Sequence, residues 1–143
     1  MNLQSVQRKP ETLWAVALGD RQSNGALARA KQFIDDNFRE ALSLDRIADF
    51  AGLGRFTLAK QFRQYFGVTP HRYLCAVRVR HAQYLMENGL RPSDIANEVG
   101  FFDQSHLIRH FKRACGMTPR QYMSRRASNG QRGKSVRLAS VVP

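Results

Sequence analysis
An all-α protein is expected from three features of this 143-residue chain. No run alternates apolar and polar residues with the β-branched enrichment that a sheet demands. Apolar residues instead recur three and four apart, in windows opened by Ser, Asn, Asp or Pro and closed by Gly, which is how helices start and stop. The third feature is a repeat: IADFAGLGRFTLAKQFRQYFGVTPHRYL (47–74) returns as IANEVGFFDQSHLIRHFKRACGMTPRQYM (95–123).

The first helix is expected after DRQSNG, capped by Ser23 or Asn24, with Leu27, Ala30, Phe33, Ile34 and Phe38 on its apolar stripe. In SLDRIADFAG, Ser43 is the N-cap of a short second helix and Arg46 stands where a capping box would have Glu. Leu44, Ile47, Ala48 and Ala51 form its buried stripe, and Gly52 ends it. A third helix runs from about Arg55 to Phe66 and is closed by Gly67. Pro70 opens a long fourth helix, with Leu74, Val77, Ala82, Leu85 and Met86 on one broad apolar face and Asn88-Gly89 as its stop. PSDIANEVG and DQSHLIRHFKRACG then repeat the short and longer helices, with Asp103 capping the second and Gly116 ending it. Pro119 opens a last short helix.

This places an N-terminal segment, possible linker in character, at 1–24 and a helical domain at 25–126. Within it lie a first helix-turn-helix at 44–66, a linker helix at 70–87 and a second helix-turn-helix at 92–115. ASNGQRGKSVRLASVVP, 127–143, has turn formers, arginines and little that could pack, and is expected to be a flexible basic tail.

The charge balance points to a polyanion. Lys and Arg number 23 against 11 Asp and Glu, a formal net charge of +12 with a pI near 10.8, and nucleic acid is the leading partner of such a surface. Cys75 and Cys115 belong to no CxxC or Cys/His cluster, so neither a disulfide framework nor a zinc module is expected. The apolar run from Leu13 to Leu18 is too short for a secretory core or a membrane span. A soluble, cytoplasmic protein without membrane attachment is the expectation.

The repeat itself locates the turn. Ile47 matches Ile95 at an offset of 48, whereas Leu58 and Leu107, Phe62 and Phe111, Gly67 and Gly116, Pro70 and Pro119, and Tyr73 and Tyr122 are all 49 apart. One inserted residue would rotate a helix's buried stripe by about 100°, but a loop absorbs it. The insertion therefore lies between the short and longer helices of the second unit. On a helical wheel Leu58, Gln61, Phe62 and Tyr65 point one way, while Phe56, Ala59, Lys60 and Arg63 point the other. In the second unit Leu107 and Phe111 point in, and Ser105, Ile108, Arg109 and Lys112 point out. A short helix, a turn and a longer helix with cations on its outer row is the layout of a helix-turn-helix, whose second helix enters the major groove. Two such readers sit on successive grooves when about 34 Å apart. The linker helix, roughly 25 Å long at 1.5 Å per residue, approaches that span together with the widths of the units it joins. Bending of the DNA can supply any shortfall.

On these motifs the chain resembles the DNA-binding domain of the AraC/XylS family of bacterial transcription regulators. The resemblance spans about 26–125 and rests on SLDRIADFAG…LAKQFRQYFGVTPHRYL, on the Tyr-Leu, Arg78, Ala82 and Leu85 pattern of YLCAVRVRHAQYLM, and on DIANEVGFFDQSHLIRHFKRACGMTPRQY. It implies a seven-helix domain with two recognition helices in successive major grooves of double-stranded DNA, acting near RNA polymerase. It further implies that Phe56, Ala59 and Lys60 face bases from the first reader, and Gln104, Ser105, Ile108 and Arg109 from the second. Arg109 is the strongest candidate, since a guanidinium can grip guanine O6 and N7 in a bidentate fork. Arg55, Arg63, Lys112 and Arg113 are assigned to phosphates. Three positions depart from the family pattern: Gly54 replaces a frequent capping Ser, Ala59 lacks a hydrogen-bonding group, and Ile108 replaces a small polar residue. The first reader is expected to be the weaker. Family members of full length commonly carry an effector or dimerisation domain that about 25 residues cannot hold, so no small-molecule effector is expected, and the protein is expected to act as a monomer.

Competing readings are weaker. Phe62, Tyr65, Phe66, Tyr73, Phe101, Phe111 and Tyr122 fall on inward stripes and are read as core, not as a base-stacking platform. His106 and His110 are four apart but lack a third ligand nearby in sequence, so they are read as solvated or phosphate-facing, with no metal and no cofactor. Cys75 and Cys115 are read as buried or incidental thiols. Arg125, Arg126, Arg132, Lys134 and Arg137 serve solubility, and extra counterion release would strengthen DNA binding. A non-specific nucleoid or RNA-binding protein would share the charge without needing two matching outer rows. A DNA-repair methyl acceptor would need upstream cysteines, and 1–74 contains none. No catalytic dyad, phosphate loop or paired carboxylates suggest an enzyme.

Overall fold
The structure, a computed structural model, describes residues 10–129, and side chains from residue 23 onward. In chain order the helices are α1 Pro10–Asn37, α2 Leu44–Ala51, α3 Arg55–Phe66, α4 Pro70–Glu87, α5 Pro92–Glu98, α6 Gln104–Cys115 and α7 Pro119–Ser128. No strand occurs among the described residues. α2 and α3 together span 44–66, α4 spans 70–87, and α5 and α6 together span 92–115.

Local chemistry explains the boundaries. Ser43 Oγ accepts from Arg46 N at 3.1 Å, Thr69 Oγ1 from Arg72 N at 3.3 Å and Asp103 Oδ1 from His106 N at 2.8 Å. Each bond satisfies one of the N–H groups that a helix start leaves unpaired. Thr118 and Gln121 form a reciprocal capping box, with the side chain of each accepting from the other's backbone N–H.

The repeat is structural as well as sequential. Leu58 and Phe62 of α3, and Leu107 and Phe111 of α6, are all fully buried. Burying each such side chain contributes about 1.5–3 kcal/mol. Phe62 meets Tyr73 edge-on at 5.8 Å, and Phe111 meets Tyr122 edge-on at 5.4 Å. The two tyrosines then donate to carboxylates: Tyr73 to Asp35 of α1, and Tyr122 to Glu87 of α4, both at 2.7 Å. Burial, and then the carboxylate, raise the pKa of both phenols, Tyr122 to about 12, which keeps the O–H as donor. α1 thus braces the first unit as α4 braces the second.

α4 is the shared element, packed by α1 and α3 from one unit and by α5 and α6 from the other. Its apolar surface is consequently wider than one face. Tyr73, Leu74, Cys75, Ala76, Val77, Arg78 and Val79 are buried in unbroken succession. Of the two buried polar side chains, Gln83 points its Nε2 to Cys115 Sγ at 3.2 Å, and Arg78 reaches back to the first unit.

Three further expectations change. α1 starts at Pro10 and passes straight through Ser23, Asn24 and Gly25, so neither Ser23 nor Asn24 is a cap and the boundary between 1–24 and 25–126 falls inside a helix. Local cap chemistry is only an option, and here the helical hydrogen-bond ladder continues past it. Tyr65, read as core, is 57% exposed. It lies in the last turn of α3, where Phe66, with Val68 just beyond the helix, packs into the core instead. At the other end Ala127 and Ser128, expected in the tail, belong to α7, and Arg126, read as serving solubility, pairs with Glu87 at 2.9 Å and lies over the Tyr122 ring. Residues 130–143 of the expected tail, with Arg132, Lys134 and Arg137, lie outside the described residues, as do residues 1–9 of the N-terminal segment.

Candidate nucleic-acid interface
The outer rows of the two longer helices are the candidate surface. On α3, Phe56 is 81% exposed, Lys60 and Arg63 are exposed, and Ala59 is half-buried. On α6, Gln104, Ser105, Arg109, Lys112 and Arg113 are exposed and Ile108 is half-buried. The inner rows anchor both helices, so the outer rows are presented on a fixed scaffold and not on a loop.

Charge pairing separates the cations. Among the described residues the ion pairs are Lys31–Asp35, Arg46–Glu40, Arg55–Asp45, Arg91–Asp94 and Arg126–Glu87. Lys60, Arg63, Arg109, Lys112 and Arg113 occur in none of them. Exposed cations that repel one another without local carboxylates are suited to an external polyanion. Arg55 differs. It lies 3.6 Å from Asp45 and over the Phe56 ring at 5.5 Å, so a phosphate would have to compete with a carboxylate already present.

The structure corrects the reading of the histidines. His106 and His110 face inward as a half-buried pair, their Nε2 atoms 3.0 Å apart. His110 stacks on Phe101 at 5.3 Å with 10° between ring planes, and approaches His71 of α4 at 6.2 Å. They flank Leu107 and Phe111 on the side of α6 that meets α4, which removes them from the phosphate-facing row. Burial, followed by the neighbouring His106, His71, Arg109 and Arg113, lowers the His110 pKa to about 4. It is neutral near pH 7. Among the described residues no group of three or more His, Cys, Asp or Glu is placed to hold a metal ion. Cys75 is buried and Cys115 half-buried; burial raises both thiols, Cys115 to about 11, so neither is a thiolate near neutral pH.

Sequence reasoning missed Phe102. It is 88% exposed in the turn that leads into α6, beside the buried Phe101. The pair reads as one apolar dipeptide, and only the turn geometry sends the two rings apart.

A short helix and a longer one with a buried inner row and a cationic outer row, built twice around a shared helix, define a double helix-turn-helix protein. A helix-turn-helix domain family model matches residues 47–125, and the chain belongs to the AraC-type helix-turn-helix family, whose members are DNA-binding transcription regulators. The HTH-type transcriptional activator RhaR of Escherichia coli K12 is 41% identical over 87 residues, 60% of this chain and 31% of that protein. An uncharacterised HTH-type regulator, YbfI of Bacillus subtilis, is 37% identical over 76 residues, 53% of this chain and 28% of that protein. The chain thus spans less than a third of the length of these relatives. Among solved structures, the DNA-binding domain of AdpA in complex with a target DNA matches with a TM-score of 0.69 and 27% identity, over 75% of this chain and 97% of that one. An AraC-type regulator from Chromobacterium violaceum matches at 0.67 and 29% identity, over 76% and 97%. Among the described residues no helix is long and apolar enough to cross a membrane.

Proposed function
We propose that this chain is a sequence-specific regulator of transcription that places α3 and α6 in successive major grooves of a promoter, as a monomer in the cytoplasm, and acts there on RNA polymerase. One observation carries this reading: both recognition helices are anchored by fully buried residues, Leu58 and Phe62 on α3 and Leu107 and Phe111 on α6, while their outer rows hold exposed cations that no described carboxylate pairs. Base reading falls to Phe56, Ala59 and Lys60 on α3 and to Gln104, Ser105, Ile108 and Arg109 on α6. Arg109 supplies the bidentate fork to guanine O6 and N7, Ile108 an apolar contact for a thymine methyl, and Gln104 a fork for adenine N6 and N7. Arg63, Lys112 and Arg113 hold phosphates and set register, while Arg55 does so only by leaving Asp45. A non-specific binder is disfavoured because its affinity needs charge alone, not two anchored rows with matching polar and apolar positions.

Selection from a random duplex library followed by salt-dependent titration tests the proposal. Arg109→Ala is expected to lose about 1–3 kcal/mol on the selected site and almost nothing on scrambled duplex. Arg63→Ala is expected to weaken both and lower the slope of log K against log salt by about one unit. Equal losses on the two DNAs for Arg109→Ala would remove Arg109 from the base-reading set, and failure to enrich any sequence would reject the function.

A further inference from the structure
The two readers are joined by more than the linker helix. Arg78 stands midway along α4 and is only 7% exposed. Its Nε donates to Phe38 O at 2.7 Å and its Nη2 to Glu40 O at 2.8 Å. Both acceptors lie in the segment between α1 and α2, just past the end of α1, where the helix dipole is negative. The same guanidinium lies 5.7 Å over the ring of Phe101, in the turn before α6. One side chain therefore touches both units. Its charge meets no carboxylate among the described ion pairs; it is satisfied by carbonyl dipoles and an aromatic face.

Three neighbours show that this contact is a close-packed joint. A Cβ on Gly100 would lie 2.8 Å from Phe38 O and 2.9 Å from Arg39 O, so the second unit's turn rests directly on the first unit's backbone. Gly52, which ends α2 in the first unit as Gly100 follows α5 in the second, has no atom within 4 Å of the same position. Close approach is thus a property of the joint and not of helix-turn-helix turns. Phe38 in turn stacks on His81, one helical turn beyond Arg78, at 4.0 Å and 12°. The chain leaves this joint for α2 at Leu44 and for α6 at Gln104, only a few residues away on either side.

We propose that Arg78 is a positioning residue that fixes the separation and relative rotation of α3 and α6, and so sets the spacing of the two half-sites this protein accepts. The inference rests on the two-groove reading above. It has a definite demand to meet, because a one-base-pair change in spacing moves one half-site by about 3.4 Å and rotates it by roughly 35° about the duplex. A long helix alone can bend and twist under such a change. A side chain bonded to one unit's backbone and packed on the other unit's turn resists it.

Two measurements on the full chain test this. In the first, a selected bipartite site is compared with versions carrying one added or one removed base pair between half-sites, and with each half-site alone. The wild type is expected to lose about tenfold or more in affinity for each spacing change. Arg78→Met is expected to lose less than about threefold for the same change while binding single half-sites within about twofold of wild type, and Arg78→Lys, which can keep one of the two carbonyl bonds, should fall between. An unchanged spacing penalty in folded Arg78→Met overturns the proposal, as does an equal loss on every duplex.

The second measurement needs no DNA. Spin labels at Asp49→Cys on α2 and Glu98→Cys on α5, with Cys75→Ala and Cys115→Ser in the background, report the distance between units by pulsed dipolar spectroscopy. A narrow distribution in the parent that broadens in Arg78→Lys is expected, and the same narrow distribution in both rejects the joint even if Arg78→Met does not fold. Should the distances behave as expected while no bipartite site is found, the function is at fault and not the joint.

Discussion

The two helix-turn-helix units keep the same skeleton and differ in what holds it. Leu58 and Phe62 answer to Leu107 and Phe111, Thr69 to Thr118, and Tyr73 to Tyr122, each pair buried or capping alike. The first unit's reader starts at Gly54, which offers no side-chain cap, whereas Asp103 caps the second. The turn of the first unit is open around Gly52, whereas Gly100 is pressed against the segment after α1. Where α3 has Thr57 and Gln61, α6 has the inward pair His106 and His110. The second unit is thus the more constrained of the two. A duplicated fold can share its internal packing while only one copy carries the restraints that orient it against the other.

Breaking the restraint should show the largest contrast. Gly100→Ala, with a Cβ forced into two carbonyls at a φ of +91°, is expected to cost about 3 kcal/mol or more in urea unfolding. Gly52→Ala meets only the left-handed backbone penalty, about 1 kcal/mol. Equal costs would mean that the close approach is relieved by a small shift. Next come the caps. Asp103→Ala is expected to lose about 1 kcal/mol, and Gly54→Ser to gain a few tenths of a kcal/mol, narrowing the difference between the recognition helices. Amide exchange in the first turns of α3 and α6 checks both.

An effect no larger than that of the Asp103 cap concerns acidity. His110 has its pKa lowered from the ordinary 6.5 to about 4 in the fold, so the unfolded chain binds the proton more readily. The stability this contributes is present above about pH 6.5 and is lost as pH falls toward 4. Its size is about 1 kcal/mol once solvent screening is allowed for. His110→Gln, which gives α6 the residue that α3 has at the matching position, should flatten the pH dependence of the unfolding midpoint over that window. A slope unaffected by the substitution would assign the acid sensitivity to other groups.

Sequence periodicity exposed most of the fold because caps, glycines and inner rows act within a few residues of one another. Ser43, Gly67, Asp103 and Gly116 bound their helices through local bonds, and the change of offset from 48 to 49 marks the second turn without any coordinates. The outer rows were legible for the same reason. Tyr65 misled because the covered stripe of α3 runs through Leu58, Phe62 and Phe66, four residues apart, and leaves Tyr65 at its edge. The histidines misled because charge and spacing alone do not say which neighbouring helix lies beside them.

The sequence by itself determined seven helical segments' character, the doubling of a helix-turn-helix, and the cationic outer rows of its two longer helices, since each depends on contacts three or four residues apart. Tertiary structure alone decided that α4 is buried without a break from Tyr73 to Val79, that His110 turns toward α4, and that Arg78 and Gly100 lock one unit onto the other. Those outcomes depend on groups about 40 residues apart in the chain, such as Arg78 and Phe38. No local pattern encodes such a meeting, because loop closure lets many partners compete and only packing of the whole core selects one.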